Sequence, residues 1–368
     1  MIQWRSGVVV QQRSGWAGAR EYAARLDSGE TVRALGYVDV VGELAPGTRV
    51  LLNTTALERG LGTGGLAIVV AAPDALPRPV PEVTAVPGHL VKARYTPSQT
   101  MVLGVDEQDS AHHAVLRDAD DLAGLPVVVA DLHSALPAIV AGARAVEPAV
   151  VVAYVMTDGG ALPLDFSRTV AGLRDAGWLA ASITVGQAHG GDLEAVTVHT
   201  GLLAARHVVG ADLVVVAQGP GNLGTGTRWG FSGTSAGEAV NAAGVLHGRP
   251  VCALRVSQAD RRERHRGLSH HSRTAYGRVA LVAADVPVPV LPGAFGQLVR
   301  AQAHELCAGT AGRLAAHDVS CDGLDAALRA VPVPLSTMGR AYQDDRAGFL
   351  ASAVAGRFAA ALLSGAGP

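Results

Sequence analysis

Five stretches of this sequence concentrate side chains that bind ligands or move protons. They are Asp131-Leu132-His133-Ser134, Thr157-Asp158-Gly159-Gly160, Gly186–Asp192 with His189 inside it, Gly219–Thr227, and Ser257–His271. Asp131, His133, Asp158 and His189 are the candidates for acid–base work, which needs imidazole and carboxylate groups within hydrogen-bond reach of a substrate. Imidazole with carboxylate also suits Zn, Mn, Fe or Ni. His133, His189, His265 and His270 are therefore the candidate ligands of a divalent metal, with His271 as an alternate. Neither HExxH nor H-x-H spacing is present. A metal then requires His133, His189 and one of His265, His270 or His271 to converge within roughly 5 Å. The adjacent pair His270-His271 is not expected to share one ligand, because positions i and i+1 of a helix do not face each other. The bland alternative is one acid–base histidine, the others bonding loop backbone. His199 and His207 fall on a helical pattern and read as structural.

Gly219–Gly224 has the spacing G-x-G-x-x-G. Glycine there lets backbone N–H groups approach an anion with no Cβ in the way. Gly219, Gly221, Gly224 and Thr225 are the donors of that reading. Arg261, Arg264 and Arg266 would add guanidinium charge, which binds phosphate or carboxylate in bidentate fashion. The competing reading is a long glycine-rich connection beside a solvated basic loop, paired with Asp260 and Glu263. A dinucleotide site also needs a helix opening at once and an acid about 20 residues on. Here the helical pattern starts near Ser235, which argues against a nicotinamide cofactor. Gly233-Thr234-Ser235-Ala236-Gly237 matches G-x-S-x-G, but a strand must run directly into such a serine. A helix N-terminus accounts for Ser235 more simply.

These loops matter because of the elements that feed them. Residues 1–72 read as a small all-β, barrel-like domain, SH3-like or OB-like. Its strands are expected at Val8–Gln12, Glu21–Leu26, Thr31–Gly36, Arg49–Asn53 and Ala67–Ala71, separated by turn residues such as Asp27-Ser28-Gly29. Residues 73–97 are proline-punctuated and read as an extended linker. Residues 98–368 alternate strand-length apolar runs with helical patterns, predicting an α/β domain with a mainly parallel, Rossmann-like sheet covered on both faces. The predicted strands are Thr100–Val105, Pro126–Asp131, Val150–Met156, Ala181–Val185, Asp212–Ala217, Val251–Val256 and Arg278–Ala283. The predicted helices are about 134–145, 164–176, 197–209, 235–246, 296–307 and 336–363. In the last, Met338, Tyr342, Phe349 and Phe358 read as core packing. Ligands of open α/β sheets bind beyond the carboxyl ends of the strands, which is where all five loops fall. The strands feeding Gly219–Thr227 and Arg261–Arg266 are joined by one helix and are expected side by side or one apart.

Composition bounds the function classes. The net charge is -2, without the basic excess of a general nucleic-acid binder or a polybasic membrane anchor. Cys252, Cys307 and Cys321 are odd in number and lack CxxC pairing, so reduced thiols in a cytoplasm are expected. The N-terminus is expected to be neither a signal peptide nor a membrane span. Homo-oligomerisation stays open.

The segments DLHSALPA (131–138), YVMTDGGALPL (154–164), GPGNLGTGT (219–227) and RHRGLSHH (264–271), with LGTGG (61–65), resemble a bacterial domain-of-unknown-function family, number 3866. The resemblance covers nearly the whole chain, implies a bacterial protein, and transfers no activity. From the residues alone, the expected function is an enzyme acting on a small phosphate- or carboxylate-bearing ligand, by hydrolysis or transfer with or without a metal. A non-catalytic metabolite-sensing or regulatory module, its barrel contacting a macromolecule, is the rival class, and a nicotinamide-dependent oxidoreductase is a further alternative.

Overall fold

A computed structural model describes residues 1–62, 64–77 and 87–365. Residues 78–86 of the expected proline-rich linker, and Thr63 of the LGTGG segment, lie outside the described residues. The chain forms two compact units, one holding the N-terminal strands together with Asp165–Ala171, the other holding the remaining α/β elements.

The first unit is a closed five-stranded barrel. Its strands are β1 (Trp4–Trp16), β2 (Ala19–Leu26), β3 (Thr31–Tyr37), β4 (Arg49–Asn53) and β5 (Ala67–Ala71), in the order β1-β2-β3-β5-β4. Register shifts between Val9 and Gln11 and between Gln12 and Gly15 bend β1, so that it pairs with both β2 and β4. Val9, Tyr22, Leu52 and Val69 fill the interior, where the Tyr22 hydroxyl accepts the Leu44 N–H at 3.1 Å.

The second unit carries an eight-stranded, wholly parallel sheet with helices around it. Ahead of it stands a hairpin of β6 (Leu90–Lys92) and β7 (Thr100–Val102). The sheet strands are β8 (Pro126–Val129), β9 (Val152–Thr157), β10 (Ala181–Thr184), β11 (Leu193–Glu194), β12 (Leu213–Gln218), β13 (Arg249–Cys252), β16 (Ala284–Val290) and β17 (Leu314–Ser320). Between β13 and β16 a two-residue ladder, β14 (Val256–Ser257) with β15 (Gly267–Leu268), closes a loop. The sheet order is β11-β10-β9-β12-β8-β13-β16-β17. Every residue of β8, β9, β10 and β12 is buried, as their unbroken apolar runs require of strands covered on both faces. β12 and β13 flank β8 on either side, the one-apart arrangement expected of the crossover.

Several elements depart from the sequence expectation. Thr100–Val102 pairs antiparallel with Leu90–Lys92 and does not join the parallel sheet. The strand expected at 278–283 lies instead at Ala284–Val290, after a wide turn of helix at Ala275–Val279. Pro287 and Pro289 hide it from a propensity reading. β16 meets β13 only through the Val251–Asp285 pair, so this stretch has the edge-like freedom in which proline is tolerated. The last helix starts at Arg346, not 336. Residues 336–341 form a short hairpin of β18 (Ser336–Thr337) and β19 (Arg340–Ala341), turning at Met338 and Gly339 with φ of 49° and 76°. Successive positive φ values are the signature of a tight two-residue hairpin turn, and they leave Met338 exposed rather than in the core.

Helix Arg346–Ser364 has the length and composition of a membrane span, the one such helix among the described residues, yet 67% of its most apolar window is buried inside the fold. It packs on helix Leu136–Arg144, backbone nearly against backbone. A Cβ at Gly142 would overlap the Ala353 carbonyl, and one at Gly356 the Ile139 carbonyl. Gly142→Val is therefore expected to force the helices apart and cost about 3 kcal/mol, the upper end for overpacking. Urea denaturation measures it; a loss under about 0.5 kcal/mol, the scale of a neutral surface change, contradicts this close crossing.

Candidate functional site

The chemistry gathers at the carboxyl ends of β12, β8 and β13, where the chain, having run from β8 to β11 in one direction, turns back across the sheet. Such a switch point leaves a crevice between diverging loops. Asp131 follows the central strand β8. Arg255 follows β13, and His271 is the second residue of helix His270–Thr274. Asp131 Oδ2 lies 2.9 Å from His271 Nδ1 and 3.3 Å from Arg255 Nη1. Arg255 Nη1 also lies 2.8 Å from His271 Nδ1. That nitrogen can donate to the carboxylate or accept from the guanidinium, but not both. Burial alone would raise the Asp131 carboxyl; the Arg255 charge and the His271 hydrogen bond outweigh it and hold the group below its ordinary value. The Phe231 ring stacks on His271 at 3.7 Å between centroids, 11° from parallel.

Ser269 shapes the next layer. As the helix cap it accepts the His271 N–H at 3.2 Å, and its Oγ stands 2.8 Å from Nδ1 of His265. One ring nitrogen from each of His265, His270 and His271 can be chosen so that all lie within 4.8 Å of one another. The adjacent pair thus converges, contrary to expectation. Both residues sit in the first turn, where the helix has just begun, and Asp131 and Phe231 pin the His271 ring beside the loop that brings in His265. Burial, then neighbouring charge, pushes His265 down to about 3 and His270 down to about 4. Both rings are neutral at neutral pH.

A pocket of about 100 Å³ opens over these rings. Asn222, Gly224 and Gly226 line one side, Arg262 and Arg264 the other. Arg262 is held by Asp260, Nη2 to Oδ2 at 2.8 Å, and that contact keeps the Asp260 carboxyl well below the usual range. Among the described residues Arg264 has no ion-pair partner, and a Cβ at Gly226 would stand 3.5 Å from its Nη2. Four buried side-chain polar atoms among the described residues lack a hydrogen-bond partner, and two of them, Asn222 Nδ2 and His270 Nε2, belong to residues lining this pocket. Buried polar atoms are rarely left unpaired without a reason.

The remaining candidates are distributed differently. The Gly219 N–H is spent on the Thr157 carbonyl at 3.1 Å and the Thr225 N–H on the Gly230 carbonyl at 2.7 Å. Gly221 does not line the pocket, so of the expected backbone donors Gly224 alone does so, joined by Gly226. Gly219 serves close packing, since a Cβ there would press on the Ala161 carbonyl. Arg261 and Arg266 are exposed and outside the pocket lining. His133 bonds the Tyr154 hydroxyl at 2.9 Å, and burial lowers it to about 4. His189 is anchored through its backbone to Leu162 and Leu164. Neither joins a group of three ligating side chains among the described residues. Asp158 accepts the Gln187 N–H at 2.9 Å and lies outside the pocket. Ser235 begins its helix and donates to the Ser232 carbonyl at 3.0 Å, with no strand leading into it. Arg255 and Asn222 are functional candidates that sequence reasoning passed over. Arg255 was hidden inside a strand expected to run to Val256, whereas β13 stops at Cys252.

Two outcomes follow from this geometry. Asp131→Ala strands the buried Arg255 charge and is expected to cost about 3–5 kcal/mol, most of it recovered in Asp131→Ala/Arg255→Met. Urea denaturation of the two variants checks this. His133 holds a folded pKa of about 4 against an ordinary value of 6.5. The unfolded chain binds the extra proton first, so stability is full above about pH 6.5 and falls as the pH drops towards 4. That loss is of order 3 kcal/mol and is abolished in His133→Gln. Unfolding curves between pH 4 and 7 that are parallel for wild type and variant would contradict it.

No curated protein and no solved structure matches this chain. Residues 33–356 match the family described as protein of unknown function DUF3866. That match begins inside β3, so it leaves out β1 and β2 of the barrel, but it spans nearly all of the α/β unit and well over half of the chain; the chain therefore belongs to this family.

Proposed function

We propose that the pocket is the active site of an enzyme that hydrolyses, or transfers a group on, a small phosphate- or carboxylate-bearing ligand. The observation that carries this reading is the meeting of the two loops. The β12 loop brings Asn222, Gly224 and Gly226 to the same pocket that the β13 loop supplies with Arg264, over a floor of His270 and His271. Arg255 and Arg262 are matched by Asp131 and Asp260, so Arg264 is the uncompensated charge facing the pocket. A guanidinium at the mouth with a buried amide and imidazole below is the donor set an oxyanion recruits. A sensor would need only donors and apolar walls. Here an imidazole and a carboxylate already stand in hydrogen-bond contact beside the anion position, which favours chemistry over mere binding.

Thermal-shift titration with inorganic phosphate, small phosphomonoesters and small carboxylates tests the reading. At least one of these classes is expected to stabilise the wild type. Arg264→Glu is expected to weaken that response by about 10- to 100-fold in apparent affinity, the scale of a lost charge-assisted hydrogen bond, with the fold unchanged because the residue is exposed. No stabilisation of the wild type by any of the anions, or an unchanged response in the variant, overturns it.

A further inference from the structure

We infer that His265, His270 and His271 form a binding site for one first-row divalent metal ion of the zinc class. The proposal stands on the ring geometry and does not require the anion reading. Three side chains with one ring nitrogen each inside a 4.8 Å circle meet the first condition. Ligands on bonds of about 2.0–2.1 Å in a tetrahedral site stand about 3.4 Å apart, which small ring rotations reach from this arrangement. Imidazole is the commonest biological metal ligand in its neutral form, and nitrogen ligands select zinc, cobalt, nickel or copper over calcium and magnesium.

The surroundings supply what such a site needs beyond three rings. In the tautomer whose Nδ1 donates to Asp131, His271 is oriented as a carboxylate–histidine pair orients a metal-binding ring, and its Nε2 is left to the ion. Ser269 Oγ meets His265 Nδ1 at 2.8 Å in the same way. His270 Nε2 is buried with no hydrogen-bond partner, a costly arrangement for a ring nitrogen with no ion to bind. The ring pairs stand 4.5 to 4.9 Å apart between centroids, two of them near perpendicular. Three neutral imidazoles have no reason to crowd edge to face around a shared polar centre on packing grounds alone, because their nitrogens would then go unsolvated. The three protein ligands leave a tetrahedral ion one further position. The pocket that the histidines line also holds Arg264 and Asn222, so an anion or water completing the coordination would find its second contact there.

Titrating the metal-free chain with Co²⁺ and Zn²⁺ tests the site. One equivalent of Zn²⁺ per chain is expected after dialysis, with visible Co²⁺ absorption of tetrahedral strength that Zn²⁺ displaces. His270→Ala, at the least buried of the three, is expected to lower metal affinity by more than about 100-fold, beyond the 10- to 100-fold scale of outer partners. His265→Asn gives an independent second variant. His207→Ala is the control and retains full stoichiometry, since that ring bonds the Asp121 carbonyl elsewhere on the unit. Sub-stoichiometric metal in the folded wild type, or unchanged affinity in both His270→Ala and His265→Asn, overturns the proposal. Phosphate titrations repeated on chelator-treated protein separate this outcome from the anion reading, which can fail or hold independently.

Discussion

The Asp131–Arg255 pair is the constraint on which the functional end of the α/β unit depends. At the carboxyl edge of the sheet Asp131, after β8, is buried, and the side chain of Arg255, after β13, is nearly so. Two charges removed from water cost several kcal/mol each, and only good geometry with further hydrogen bonds repays it. His271 provides that extra contact from a third element. The pair therefore fixes how β13's exit, the Ser257–Leu268 loop and the helix starting at His270 sit against β8. Once they are so fixed, His265 and His270 have little choice but to face His271.

Sheet order explains why this happens where it does. β8 lies between β12 and β13, so the residue leaving β8 is flanked by the two loops richest in glycine and arginine. One strand is inserted between them, and the loops lean over it to meet. Glycine has two separate uses in that meeting. At Gly160 and Gly219 it lets the β9 and β12 exits pack backbone to backbone. At Gly226, on the pocket wall, it supplies a backbone φ of 82° that residues with a Cβ rarely adopt. The loop Gly219–Thr227 mixes the two uses, which is why it suggested more anion donors than the structure leaves free.

What could be read from the residues follows the same physics. Strands buried on both faces carry continuous apolar runs, and β8, β9, β10 and β12 were legible for that reason. The barrel strands were legible from their turns. β17, with exposed and half-buried positions along LAAHDVS, has no such run and was missed; β16 was displaced by its prolines. For the candidate site, loop composition pointed to the edge of the sheet at which Asp131, His265, His270, Gly224 and Arg264 fall together. His133 and His189 did not join them, because spacing along the chain does not reveal which way a loop side chain turns. His133 is drawn under the sheet edge by the Tyr154 hydroxyl, a partner 21 residues away that no local pattern announces.

The charge balance at this edge then narrows the chemistry. Asp131 with Arg255, and Asp260 with Arg262, are internally matched, while Asp345 takes Arg340 at 3.0 Å and the Ser257 hydroxyl at 2.5 Å. Burial and the surrounding guanidiniums keep His265 and His270 from accepting a proton. An imidazole that stays neutral far below its ordinary pKa is a poor general acid at neutral pH, but its lone pair is always available. Two such rings, beside a third whose far nitrogen faces a carboxylate, are better suited to holding an electrophile than to shuttling protons. Among the described residues Arg264 is left as the pocket's unmatched positive charge, and it is on this imbalance that the proposed anion reading rests.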